Sequence, residues 1–329
     1  MRNLFFILML LLSVPGIADD TYTNPVLASK APDPTIIRAA DGYFYLIATD
    51  NLPPVYKSSD LVNWSFVRRT FSQDGRPSWE PNAGIWAPDI NYINGKYVLY
   101  YSMSVWGGVE TCGIGIAVSD KPEGPYTDLG KLFRSNEIGV TNSIDPNYYE
   151  ENGKKYLIWG SLGGGIWVIE LNDDGLSLKE GSEKVQIAGT SFEGAYIHKR
   201  GGYYYLFASA GSCCNGVNST YRLVVGRSTS LKGTYLNKDG QRMLDNKYAL
   251  VITSNTQFKG TGHCSEIVTD DAGSNWIFYH AYQASNPETG RVLLLSRIKW
   301  DEAGWPYVDN NTPALSAPKP VFRYTCFSK

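Results

Sequence analysis

The sequence predicts an all-β protein, a five-bladed β-propeller, on three observations. Tyr (23) nearly doubles Phe (12), and Gly (33) makes up about a tenth of the 329 residues, a mixture suited to pleated strands joined by tight turns. One phrase, a turn glycine followed by an aromatic strand-forming run, recurs five times. Past the N-terminal segment, no stretch carries helical periodicity beyond two or three turns.

The copies are Asp41-Gly42-Tyr43-Phe44-Tyr45-Leu46, Asn94-Gly95-Lys96-Tyr97-Val98-Leu99, Asn152-Gly153-Lys154-Lys155-Tyr156-Leu157, Gly201-Gly202-Tyr203-Tyr204-Tyr205-Leu206 and the looser Gly273-Ser274-Asn275-Trp276-Ile277-Phe278. Asn-Gly and Asp-Gly between apolar runs make hairpin turns, because both central positions accept positive φ. Further strand material is expected at Leu61 to Val67, Ile114 to Ser119, Ile166 to Leu171, Tyr221 to Ser228 and Val292 to Trp300. Successive turn glycines lie about 50 to 70 residues apart, the scale of one propeller blade. A two-sheet sandwich is the rival architecture. No Pro/Ser-rich or low-complexity divider appears, which favours one closed domain over residues 19–329.

Arg2 precedes an apolar run from Leu4 to Leu12, then Ser13, Val14, Pro15 and the small residues Gly16 and Ala18. That order reads as a secretory signal over residues 1–18, too short to span a bilayer, which takes about 20 apolar residues. The expectation is a secreted or periplasmic protein with no membrane insertion. Lys and Arg total 30 against 32 Asp and Glu, a formal charge of −2, so no basic field invites nucleic acid. Export permits disulfides, yet the cysteines Cys112, Cys213, Cys214, Cys264 and Cys326 are odd in number and lack zinc-type spacing. A ring between the adjacent Cys213 and Cys214 would be strained, so buried thiols are the expected state.

In a propeller, the first strand of each blade lines the central channel. Reading back six to ten residues from each turn glycine gives Asp33, Asp89, Asp145, Glu193 and His263 in order. Each has a bland explanation alone: Asp33 and Asp145 precede Pro34 and Pro146, as turn openers do, and His263 suits a hydrogen-bonded core. Their register with the repeat argues instead for a shared channel, since clustered charges perturb one another and mark functional sites. Carboxylates facing one pocket suit glycoside hydrolysis, where one acts as base and one, protonated, as acid. A third carboxylate holds the acid protonated by disfavouring its ionised form. No Gly-x-Ser-x-Gly elbow, phosphate loop or His-Glu-x-x-His competes.

These contexts, Ala31-Pro32-Asp33-Pro34, Gly84-Ile85-Trp86-Ala87-Pro88-Asp89, Ser143-Ile144-Asp145-Pro146 and Phe192-Glu193-Gly194, resemble glycoside hydrolase family 43, arabinanase branch, from about Asn24 to Val308. The resemblance implies a five-bladed propeller and inversion. It implies Asp33 as general base, Glu193 as general acid and Asp145 as the residue that tunes and positions the acid. It makes Trp86 an aromatic platform for a sugar ring, whose apolar face suits an indole, and Asn142, Ser143 and Ser161 sugar contacts. Asp89 is read as structural. His263 matches a ligand of an axial metal, usually calcium, although a lone imidazole is an odd donor for a hard cation. Cys213-Cys214-Asn215-Gly216 and Val225-Gly226-Arg227-Ser228 favour arabinan over xylan. Gly194-Ala195-Tyr196 and Leu162-Gly163 depart from the branch near the cleft, and leave subsite shape open.

The implied activity is internal hydrolysis of α-1,5-linked L-arabinan by a monomer. An exo-acting α-L-arabinofuranosidase or β-xylosidase is the alternative, and a carbohydrate-binding propeller without turnover is the rival from another class.

Overall fold

Each glycine of the recurring phrase lies between two antiparallel strands and has positive φ, from 55° at Gly201 to 84° at Gly95. A computed structural model describes residues 20–323; the expected signal segment and Cys326 lie outside them. Apart from one two-stranded pair of the chain ends, the strands form five sheets, each in sequence order. Blade 1 comprises Thr35–Arg38, Phe44–Ile47, Pro54–Ser58 and Ser65–Arg69. Blade 2 comprises Gly84–Ile93, Lys96–Ser104, Gly113–Ser119 and Thr127–Arg134. Blade 3 has Asn147–Glu151, Lys154–Trp159, Ile166–Leu171 and Val185–Ala188; blade 4 has Phe192–Arg200, Tyr203–Ala210, Arg222–Ser228 and Ala249–Ile252. In blade 5, Phe258–Gly262 and Val268–Thr269 both pair with Asn275–Gln283, followed by Arg291–Trp300 and Pro306–Tyr307. The fold is the predicted propeller, not a sandwich.

One strand differs from expectation. In blade 1 the third strand is Pro54–Ser58, and Leu61 lies in a turn built on Asp60, whose Oδ1 accepts the N–H groups of Val62 and Asn63 at 2.9 and 2.8 Å. Pro53-Pro54 masked the strand, because proline removes a ladder donor and is expected only at strand starts or edges.

The apolar core is distributed over five seams, one between each pair of adjacent blades. Leu99 and Tyr101 of blade 2 pack with Tyr45 and Ile47 of blade 1. Phe278 and Leu295 of blade 5 meet Phe44 and Leu46 of blade 1, closing the circle. Thr21–Thr23 pairs with Ser316–Pro318 across this last seam, and Asn24 both donates to the carbonyl of Leu295 and accepts its N–H, each at 2.9 Å. The two ends of the described chain are thereby tied to blade 5.

Two rings of hydrogen bonds fasten the blades around the axis. In the upper ring, one left-handed residue per blade, Asp33, Ala87, Asp145, Gly194 and His263 (φ 41–59°), donates its N–H to a side chain of the blade before it. The acceptors are His280 Nδ1, Thr49 Oγ1, Ser102 Oγ, Asp145 Oδ2 and Ser209 Oγ, at 2.7–3.1 Å. In the lower ring, Thr35, Asp89, Asn147, Tyr196 and Glu266 accept N–H groups of Ile90, Tyr148, Ile197, Ile267 and Ile36 on the next blade, at 2.7–3.1 Å. An orphaned buried N–H costs about 1–3 kcal/mol, so both rings hold the blades in register. They also correct the sequence reading: blade 2 contributes Ala87, not Asp89, at the level of Asp33. Asp89 lies deeper, beyond a shift in strand register between Trp86 and Asp89.

Cys213 and Cys214 are joined by a disulfide, which corrects the expectation of two buried thiols. They stand on a cleft loop, with Cys214 exposed, where no core would hold a thiol. Cys112 and Cys264 are buried and free, as expected.

Candidate active site

Asp33, Asp145 and Glu193 line one cleft of about 1050 Å³ at the upper ring. Asp33 and Asp145 point from the left-handed positions of blades 1 and 3. Glu193 and Trp86 share the position one residue earlier, in blades 4 and 2, and both sit where the strand register shifts. The bulged start of the inner strand thus turns successive side chains into the cleft, as bulges do beside active sites.

Asp33 is surrounded by nitrogen. Arg291 Nη1 donates to its Oδ1 at 2.8 Å, with His280 Nδ1 and His263 Nδ1 at 3.2 and 3.4 Å. Burial pushes the carboxyl up, but the charged neighbours, the Arg291 guanidinium first, outweigh it and hold Asp33 well below the usual carboxylate range. Burial lowers the His280 imidazole to about 4, helped by the nearby Arg291. Its neutral Nδ1 therefore accepts the Asp33 N–H, and its buried Nε2 finds no partner among the described residues.

Asp145 and Glu193 have the opposite surroundings. Burial, then the charges of Glu193 and Asp33, raise Asp145 well above the usual range. Glu193 is also raised, mainly by burial and further by Asp33, while Ser161, Tyr221 and Arg291 favour its ionised form. Both therefore hold a proton more readily than an ordinary carboxyl, while Asp33 stays ionised. Ser161 Oγ donates to Glu193 Oε2 at 2.7 Å, and Asp145 Oδ2 accepts the N–H of Gly194, next to Glu193, at 3.0 Å. An ionised base beside a protonated acid is the division that acid–base hydrolysis requires.

The model of the family described as "Glycosyl hydrolases family 43" matches residues 22–306. The chain belongs to glycosyl hydrolase family 43. It is 35% identical over 288 residues to an extracellular endo-α-(1→5)-L-arabinanase of Bacillus subtilis, spanning 83% of this chain and 86% of that one. It is 34% identical over 304 residues to an extracellular exo-α-(1→5)-L-arabinofuranosidase of Cellvibrio japonicus, spanning 84% and 86%. Among solved structures, an α-L-arabinanase of Cellvibrio cellulosa complexed with arabinohexaose matches with a TM-score of 0.76 at 33% identity, over 85% of this chain and 95% of that one. These similarities put the chain in the arabinanase branch of the family.

The family-derived sugar contacts divide in the structure. Trp86 and Asn142 line the cleft; the indole lies over Gly84, where an added Cβ would stand 2.4 Å from Trp86 Nε1. Ser161 also lines it, but its hydroxyl is directed to Glu193. Ser143 is the exception: it is fully buried, donates to the Val140 carbonyl at 2.8 Å and accepts from Trp159 Nε1 at 3.0 Å. It holds the core below the site and has no surface to offer a sugar.

His263 faces the cleft with Nδ1 toward Asp33. Among the described residues no group of three or more His, Cys, Asp or Glu side chains is placed to hold a metal. Calcium takes six to eight oxygens, so the protein donors here do not form its cage; an ion at His263 would rest on one imidazole and a shell of water. Sequence reasoning missed Arg291, His280 and Tyr221. Arg291 follows a turn glycine at the start of a strand, and no motif marks it; Tyr221 entered only as the first residue of an expected strand, without a role.

Proposed function

We propose that this family 43 glycosidase hydrolyses α-1,5-linked L-arabinan internally, with inversion. Asp33 takes the proton of the water attacking the anomeric carbon, and Glu193 protonates the departing oxygen. Asp145 tunes the acid from the neighbouring blade and braces it through the Gly194 N–H. The observation that carries the assignment is the asymmetry of the three carboxyls: Asp33 alone has a cationic partner at 2.8 Å, Arg291. The cleft draws on all five blades, from Lys30 to Arg291, and its about 1050 Å³ stands at the upper end of the about 300–1,000 Å³ usual for small-molecule sites. That room suits several sugar units.

Sizing the first products from linear arabinan tests the mode. Oligomers appearing first support internal cleavage; arabinose alone supports the exo alternative, which the Cellvibrio japonicus relative favours at nearly the same identity. Proton NMR of the nascent anomer tests inversion. Replacing Glu193 by Gln should lower kcat by about 10²–10⁴-fold with oligosaccharide binding retained; full activity in that variant would remove Glu193 as the acid.

Export of the chain is inferred in keeping with relatives named extracellular, and cell fractionation separates periplasm from medium. A calcium ion at His263 is a separate proposal, tested by metal analysis of the purified protein and melting with and without chelator; no step of the hydrolysis uses it. Action as a monomer is tested by sedimentation.

A further inference from the structure

The Cys213–Cys214 disulfide stands in the wall of the cleft, and nothing in the acid–base chemistry uses it. Its loop leaves the strand Tyr203–Ala210 directly above Ser209, the residue paired with Glu193. It returns at Tyr221, whose hydroxyl bears on Glu193. The ring is therefore carried on the acid's own blade, between Ser209, the acid's strand partner, and Tyr221.

The loop is braced against movement. Ser212 donates its N–H to Thr220 Oγ1, and its carbonyl accepts the N–H groups of Thr220 and Tyr221, all at 3.1 Å. Ser219 is buried; its Oγ donates to the carbonyl of Cys213 at 3.2 Å and accepts the N–H of Asn215 at 3.0 Å. Behind Ser219 the chain passes so closely that a Cβ at Gly260 would lie 2.6 Å from the Ser219 Cβ. Cys213 and Cys214 thus line the cleft on a loop that is hydrogen-bonded within itself and closely backed at Gly260.

A bonded pair of adjacent cysteines offers no hydrogen-bond donor and no charge. It presents a small, polarisable, apolar surface with no side-chain rotation left to lose on binding. Thiol exchange with another cysteine of the described chain is blocked, because Cys112 and Cys264 are buried. The cleft already carries apolar Val105, Val109 and Leu162, and the carboxylates supply its polar chemistry. A furanose ring has one face of C–H groups, which needs a surface of this kind.

We propose that the Cys213–Cys214 disulfide is a rigid contact surface for one arabinofuranosyl unit beside the scissile bond, a specificity-determining element on the acid's side of the cleft. The proposal rests on the arabinan reading above. Its test uses the Glu193→Gln variant, expected to bind with little turnover, titrated calorimetrically with linear arabinohexaose before and after reduction by a phosphine. Reduction adds two electrons and two protons, read as two new thiols and a gain of about 2 Da, a mass that follows from two hydrogens. The expected result is a Kd raised about tenfold, the loss of one good contact, with the melting temperature little changed. An unchanged Kd after complete reduction overturns the platform while leaving the arabinan reading intact. Failure of the oxidised variant to bind arabinohexaose overturns both. In the otherwise native enzyme, Cys213→Ala with Cys214→Ala should raise KM and largely spare kcat. A fall in kcat at unchanged KM would mean that the loop serves only to place Tyr221 against Glu193, and would also overturn the proposal.

Discussion

Arg291 Nη1 lies 2.8 Å from Asp33 Oδ1 across 258 residues of chain, at the seam where blade 5 meets blade 1. The same guanidinium lowers Asp145 and Glu193 as well as Asp33. Arg291→Gln should therefore move both limbs of the kcat/KM pH profile to higher pH. The acid limb moves because Asp33 is protonated more readily; the alkaline limb moves because Glu193 holds its proton longer. Arg291→Lys keeps the charge and should move them less. Limbs that stay in place in the Gln variant would separate Arg291 from the titration of the site.

Ser161 and Ser143 were indistinguishable as sequence positions near the acidic motif, and the structure gives them different work. Ser161→Ala removes a hydrogen bond that favours ionised Glu193, so the alkaline limb should rise and kcat fall several-fold. Ser143→Ala leaves the buried Trp159 Nε1 without its acceptor, which should lower stability by about 1–3 kcal/mol and leave KM alone. Thermal melting beside a pH–rate profile checks the pair.

Gly84 is the floor under Trp86. A methyl there would stand 2.4 Å from the indole Nε1, so Gly84→Ala must displace the ring from its place in the cleft. The expected effect is a KM on arabinan raised about fivefold, for a stacking contact of about 1 kcal/mol. An unaltered KM would show that Trp86 is not a sugar platform.

What the sequence made legible follows the range of each interaction. Hairpin turns are local, so Asn94-Gly95 and Asn152-Gly153 announced their blades directly, and many tyrosines fell in the second strands as alternating aromatic runs do. Asp33, Asp145 and Glu193 were legible because short motifs frame them. Register around the axis was not legible, because it is set by the bulge after Trp86; counting residues from Gly95 selected Asp89, whereas Ala87 occupies the ring. Arg291 was invisible for another reason: it meets Asp33 only when the last blade closes on the first. The Cys213–Cys214 bond was misjudged because adjacency argued for strain and nothing in the sequence told of an exposed, braced loop.

Tyr196 gives a test of the lower ring that spares the site. Its hydroxyl accepts the N–H of Ile267 at 3.0 Å, while its ring stacks on Phe207. Tyr196→Phe keeps the packing and removes the acceptor of this half-buried N–H, so unfolding free energy should drop by about 1 kcal/mol. Since the ring lies below the carboxylates, kcat/KM at the optimum should be retained. A large loss of activity at unchanged stability would mean that the two rings are not mechanically separate.

The lower ring also contains two neighbouring acids, the buried Asp89 and the half-buried Glu266. Burial raises both above the usual carboxylate range, and for Glu266 the charge of Asp89 adds to it. A carboxyl whose folded pKa exceeds its unfolded value stabilises fully below the unfolded value, and that contribution is lost as pH rises through the folded one. The protein should therefore melt at progressively lower temperature as pH climbs from the ordinary carboxylate range toward neutrality and beyond. Asp89→Asn removes the like charge and one of the titrations, and its side-chain oxygen can still accept the Tyr148 N–H that Asp89 accepts at 2.7 Å. In that variant the decline of melting temperature with pH should be shallower than in the parent, even though Asp145 and Glu193 titrate in both. Melting curves on the two proteins from pH 5 to 9 decide it: parallel slopes would mean that the pair does not share a proton in the folded ring.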